Sequence, residues 1–185
     1  VAKNAAIAIE KLERSEALGL ASSATQIGKM FENGNGVSVN LETARHYYER
    51  ASDGGDDEAY ARLGFMYEHG RGVAKDPAKA EALYAKCTPF WLCHLAEEIE
   101  KANGHKGTAS SFALFTRAVL RGDGHAAFFM GLAYEYGSGA PMRDHEAALR
   151  WYSFAAELGV DIAKEGIKRL TTDHRNWLDR LFGLR

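Results

Sequence analysis

The sequence predicts an all-α fold in which antiparallel helix pairs stack into a solenoid. The first observation is an internal echo. Gly28, Met30, Glu32, Gly34, Gly36, Val37, Ala44 and Tyr48 return 36 positions later as Gly64, Met66, Glu68, Gly70, Gly72, Val73, Ala80 and Tyr84. Gly131, Glu135, Gly137, Gly139, Ala148 and Tyr152 carry the pattern once more. A fixed period of about 20–50 residues marks a stack of like supersecondary units. The second observation is helical spacing: Ala59, Leu63, Met66 and Tyr67 fall at i, i+4, i+7 and i+8, on one helix face. The third is composition. The 185 residues hold only 3 prolines and are 46% hydrophobic and 26% charged, and no useful stretch alternates with period two.

Within one copy, residues 57–87, the first helix carries Gly64 on its packing face, where a missing side chain admits a close neighbour. It runs into Gly70-Arg71-Gly72-Val73, two glycines suited to a left-handed cap and a turn. Asp76-Pro77 opens the second helix as N-cap and first helical residue, with Asn40 and Asp144 at the same place in other copies. That helix packs through Ala80, Leu83, Tyr84 and Cys87. The two helices of a pair are called A and B in chain order.

The register then sorts the chain as one solenoid over residues 1–185. Residues 3–17 read as a B helix, within a partial repeat over 1–19, and its missing A partner and a first residue that is Val1 suggest a truncated N-terminus. Pairs follow at about 22–53, 57–87, 91–121 and 125–158. The third is degenerate: about 31 residues long if Leu95 matches Ala59, with Gly104-His105-Lys106-Gly107 in place of the glycine turn. Residues 161–171 begin another A helix without the glycine pattern. Asp173 is expected to cap a last helix, 173–183, that folds back so that Trp177 and Leu181 pack on Ile162, Ile167 or Leu170; residues 161–185 thus close the stack.

A net charge of −2 and a pI near 6.4, with Lys and Arg scattered, give no electrostatic reason to expect nucleic acid. The longest apolar run, Ala126 to Tyr134, is half of what a membrane-spanning helix needs.

The motifs resemble the Sel-one-like repeat, a relative of the tetratricopeptide repeat. Ala59, Leu63-Gly64, Tyr67, Gly70, Gly72-Val73, Asp76, Lys79-Ala80 and Tyr84 meet its pattern in one copy. Gly131-Leu132, Tyr134, Gly137, Gly139, Asp144, Ala147-Ala148, Trp151-Tyr152, Ala155-Ala156 and Gly159 do so in another. The resemblance is strong over about 22–87 and 125–163 and weak over 88–124 and after 165. It implies a right-handed α-solenoid that holds other proteins, with its A helices on the concave side.

On that side the register places Gln26, Lys29 and Asn33, then Arg62, Phe65 and His69, then Glu98 and Lys101, then Phe129, Leu132 and Tyr136. A groove polar at one end and aromatic at the other suits a peptide, with Phe129 and Tyr136 as anchors. The competing reading has Phe129 and Leu132 packing on a neighbouring A helix. The loops Gly34-Asn35-Gly36 and Gly70-Arg71-Gly72 lack the further glycine, lysine or strand of a phosphate cradle and read as turns. Cys87 and Cys93 flank the Pro89 turn. They could form a disulfide, as cysteine-rich members of the family do at similar junctions, or remain buried thiols. A bridge would lean the compartment toward the secretory pathway, the ER lumen or the periplasm, which is otherwise undetermined. No catalytic residue, metal ligand set or cofactor site can be nominated. The expectation is a non-catalytic protein-binding scaffold or adaptor presenting a concave groove to a protein or peptide. The alternative is a structural subunit or assembly factor embedded in a larger complex, and homo- or hetero-oligomers stay open.

Overall fold

The computed structural model describes the backbone of residues 2–182 and the side chains of residues 4–172. Among the described residues there are ten helices and no strand: α1 (Ala2–Ala17), α2 (Ala21–Asn33), α3 (Leu41–Asp53), α4 (Asp57–His69), α5 (Pro77–Tyr84), α6 (Pro89–Ala102), α7 (Ala109–Val119), α8 (Gly124–Tyr136), α9 (His145–Glu157) and α10 (Ala163–Phe182). They fall into two compact units, Val1–Trp91 and Leu92–Arg185. In the first, α2 pairs with α3 and α4 with α5, while α1 packs on α2 and α3 on α4. In the second, α8 pairs with α9, flanked by α7 and α10.

The helix ends follow the sequence punctuation. Asn40, Asp76 and Asp144 each accept a backbone N–H of the first turn, from Thr43, Lys79 and Ala147 respectively. Gly34, Gly70 and Gly137 close α2, α4 and α8 at φ of 72°, 70° and 66°, the left-handed conformation that glycine adopts without cost to a side chain.

One three-residue device holds each regular pair together. A Cβ placed on Gly28, Gly64 or Gly131 would lie 2.5 Å from a ring carbon of Tyr48, Tyr84 or Tyr152. The missing side chain is therefore the space that the tyrosine of the B helix fills. One turn further along each A helix a glutamate receives that tyrosine's hydroxyl, Glu32 at 2.7 Å, Glu68 at 2.8 Å and Glu135 at 2.6 Å. All three rings are buried to 2% exposure or less, so these bonds satisfy hydroxyls that water hardly reaches. Burial and then the facing carboxylate push the Tyr48 and Tyr152 hydroxyls well above the ordinary tyrosine range; for Tyr48 the Coulombic effect of Glu32 comes second, and for Tyr152 the hydrogen bond to Glu135 does.

The α6–α7 pair departs from this. At the place of Ala80 and Tyr84, 31 residues on, stand Ser111 and Phe115, and Glu100 takes the place of Gly64 by the Leu95 match. No tyrosine can enter, and Glu100 instead accepts the hydroxyl of fully buried Ser111 at 2.9 Å. Ser111 also completes a capping box with Thr108 at the start of α7.

The C-terminal segment differs from expectation. Residues 163–182 form one continuous helix, with no turn before Asp173. No glycine or proline lies between Ile167 and Phe182, and Thr171 returns its hydroxyl to the Ile167 carbonyl of its own helix at 2.8 Å. The packing expected of Trp177 and Leu181 lies outside the described side chains. The helix nevertheless closes on α9: Gly166 faces the second side of the Tyr152 ring, where a Cβ would come within 2.7 Å. A glycine contact thus persists in the segment whose pattern was expected to lack one.

Candidate functional site

The residues expected to meet a partner lie on the A helices, and the two units arrange them differently.

In the first unit, α4 is buried from Glu58 to Tyr67 except at Tyr60, which is half-buried. Arg62 is 6% exposed and Phe65 9%, so neither stands open to solvent as the register suggested. Arg62 donates from Nε to Glu58 at 2.8 Å and pairs through Nη1 with Glu32 at 3.3 Å. Lys29 reaches Glu58 at 2.8 Å, and Arg71 reaches Glu32 at 3.2 Å. Burial works against the charge on Glu58, but the Lys29 hydrogen bond and Arg62 hold its carboxyl below the ordinary range. Phe65 lies against the His69 ring at 4.2 Å and under the Arg71 guanidinium at 5.5 Å. His69 itself is exposed, with Nδ1 3.0 Å from the Phe65 carbonyl oxygen. Gln26 and Asn33 are exposed and Lys29 half-buried. This face is closed by its own ion pairs.

In the second unit, α6 and α8 leave a cleft of about 470 Å³ lined by His94, Glu97, Glu98, Glu100, Lys101, His105 and Phe129. Three of the expected residues, Glu98, Lys101 and Phe129, therefore meet in one place. Phe129 stacks on the buried Phe115 ring of α7 at 4.8 Å and 8°, and meets Phe128 edge-on. It is both packed, on the B helix α7 rather than on a neighbouring A helix, and part of the cleft wall. Leu132 is half-buried, and Tyr136, 59% exposed, ends α8 outside the cleft lining. Glu98 has His94 at 3.8 Å, one turn back on α6. Glu97 accepts the Cys93 thiol at 3.6 Å. Burial, partly offset by the Ser111 hydrogen bond and reinforced by Glu97, raises the Glu100 carboxyl above the ordinary range. His105, at φ of +60°, is the non-glycine residue with a left-handed backbone among the described residues, where the chain leaves α6. Sequence reasoning missed Glu97, Glu100 and the two histidines, because the irregular third repeat offers no register from which to project them.

The disulfide reading is corrected. Cys87 and Cys93 are both buried thiols with no disulfide between them. Cys87 Sγ donates to the Tyr84 carbonyl at 3.3 Å, and Cys93 turns toward Glu97. Burial, then Asp123 and Glu97, push the Cys93 thiol far up, so it stays protonated.

The recurring glycine–tyrosine–glutamate pairs define a helical-repeat protein. The chain belongs to the Sel1 repeat family, whose repeat matches residues 21–56, 57–86 and 124–160, more than half of the chain. The span between them is the irregular α6–α7 pair. Sel1 repeats typically bind proteins, and proteins built from them are generally interaction scaffolds. No curated protein matches the chain. Among solved structures, the chain is 32% identical to a protective antigen present in uropathogenic Escherichia coli strains that displays an SLR fold. That match has a TM-score of 0.51 and covers 82% of this chain and 33% of the antigen, so the chain spans about a third of that protein's length. A Sel1 repeat protein from Oxalobacter formigenes is 22% identical with a TM-score of 0.52, over 91% of this chain and 78% of the other, and shares the fold. No helix among the described residues is long and apolar enough to cross a membrane.

Proposed function

We propose that the chain is a non-catalytic protein-binding scaffold and that it engages its protein or peptide partner through the α6–α8 face of the second unit. The observation that carries this reading is the cleft that gathers Glu98, Lys101 and Phe129 from two A helices. A scaffold needs an accessible concavity with an aromatic wall and polar groups that fix orientation. The α2–α4 face, filled by Arg62, Glu58 and Glu32, lacks that space, and Arg62 and Phe65 have no part in the proposed site.

A photo-crosslinking amino acid tests it directly. Placed at Lys101, it should join the chain to a discrete protein in an extract of the source cells. Placed at Ala78, exposed on α5, it should not. Equal labelling at both positions, or none at Lys101, would overturn the assignment of the binding face.

A further inference from the structure

We infer that the cleft between α6 and α8 seats a cationic side chain, the lysine or arginine of a bound protein segment, between Glu97 and Glu100 and against Phe129. This rests on the reading of α6–α8 as the binding face and adds the chemistry that the face selects.

The argument begins with how the chain treats carboxylates elsewhere. Glu32 receives Arg62 and Arg71, Glu58 receives Lys29 and Arg62, and Glu135 receives Arg169 at 2.6 and 2.7 Å. These three withdrawn carboxylates are thus matched by a guanidinium or ammonium of the chain itself. Exposed Glu97 and half-buried Glu100 are different. Among the described residues their hydrogen bonds come from a thiol and a hydroxyl, Cys93 and Ser111, both neutral donors. His105 is near enough to favour the charge on Glu100 but forms no ion pair with it. Burial and Glu97 make the charged state of Glu100 costly, and a cation arriving from outside would relieve that cost.

The remaining walls suit the same guest. Phe129 is backed by Phe115 and held in place by that stack, so the cleft has a fixed aromatic surface. A guanidinium or ammonium is attracted to an aromatic face, and its alkyl stem can bury against one. The volume of about 470 Å³ accommodates a long side chain and leaves room for the backbone that delivers it. Three carboxylates against Lys101 as the lysine of the lining give the cleft the sign that complements a basic segment.

The test pans a random peptide display library on the full chain, with peptides then synthesised for affinity measurement and for mapping by amide chemical shifts. The comparison variant carries Glu97→Gln and Glu100→Gln together. Glutamine keeps an oxygen to accept the Cys93 and Ser111 hydrogens, so this variant removes charge while preserving the bonds that hold α6 and α7. Peptides selected on the wild type should share a Lys or Arg and shift amides of α6 and α8. Their affinity should drop at least about tenfold on the double variant, and about as much when the peptide's cation becomes norleucine. The two losses should not add, since they remove one interaction. Peptides that map to α6 and α8 but bind equally well without a cation, or bind the glutamine variant at full strength, overturn the inference alone. Peptides that map to other helices, or no enrichment at all, overturn the binding-face reading and the inference with it.

Discussion

The α2–α4 face and the α6–α8 face descend from one repeat pattern and end in opposite states. On α2 and α4 the charged positions are paired internally, with Glu58, Arg62 and Glu32 buried and linked by ion pairs to half-buried Lys29 and to the more exposed Arg71. On α6, Glu97 and Glu100 bond to neutral donors and border open space. The difference originates in a single degenerate repeat. Where Gly64 admits Tyr84, Glu100 meets Ser111, and Phe115, lacking a hydroxyl, stacks on Phe129 instead. The repeat that lacks the glycine–tyrosine lock is also the one whose A helix borders the open cleft. In this chain, the irregular repeat and the proposed binding face occupy the same place.

The largest expected effect would break that comparison if it failed. Arg62 bridges two carboxylates whose side chains are 7% and 9% exposed. Arg62→Ala leaves both partly uncompensated in a buried site and should cost about 3–5 kcal/mol. Lys101→Ala, at the mouth of the open cleft, should change stability by no more than about 0.5 kcal/mol. Chemical denaturation of the two variants side by side measures the contrast. Similar losses would mean that the two faces are not closed and open as described.

Next in size is the lock itself. Gly64→Leu forces a side chain into the space held by the Tyr84 ring and should destabilise by about 1–3 kcal/mol. Helix propensity works the other way by nearly 1 kcal/mol, so a net loss is attributable to overpacking. A thermal melt at or above the wild-type temperature would show that Tyr84 can leave its seat cheaply.

Much of this fold was legible in the sequence because periodic contacts leave periodic letters. The glycine caps, the Asp and Asn caps and the close approach at Gly64 each recur at fixed spacing, and each has one physical cause. The continuous α10 was not legible, because Asp173 looks like a cap, and only the helix-compatible run from Ile167 to Phe182 argues otherwise. The site was legible only in part. Helical spacing selected Glu98, Lys101 and Phe129 but equally selected Arg62 and Phe65, since a register says which way a residue points and not what fills the space beyond it. Glu97, Glu100 and His105 belong to the repeat that breaks the period, where no neighbouring copy predicts a role.

The smallest effect sharpens the comparison through the sign of a pH dependence. Glu58 has its carboxyl held below the ordinary glutamate value of 4.5: burial opposes this, and Lys29 and Arg62 outweigh burial. Its contribution to stability is therefore present above that value and lost as pH falls through the lowered one. Glu100 has its carboxyl raised, by burial first, against the Ser111 hydrogen bond and with Glu97 adding to the shift. Its contribution is present below 4.5 and lost as pH rises through the raised value. Replacing each by glutamine should then give opposite results in melts from about pH 3 to about pH 8. Glu58→Gln should melt below the wild type at neutral pH, with the gap narrowing in acid. Glu100→Gln, which keeps an acceptor for Ser111, should match the wild type in acid and melt above it at neutral pH. If both variants lost stability at neutral pH, Glu100 would have to be matched by a cation of its own, and the two faces would be alike.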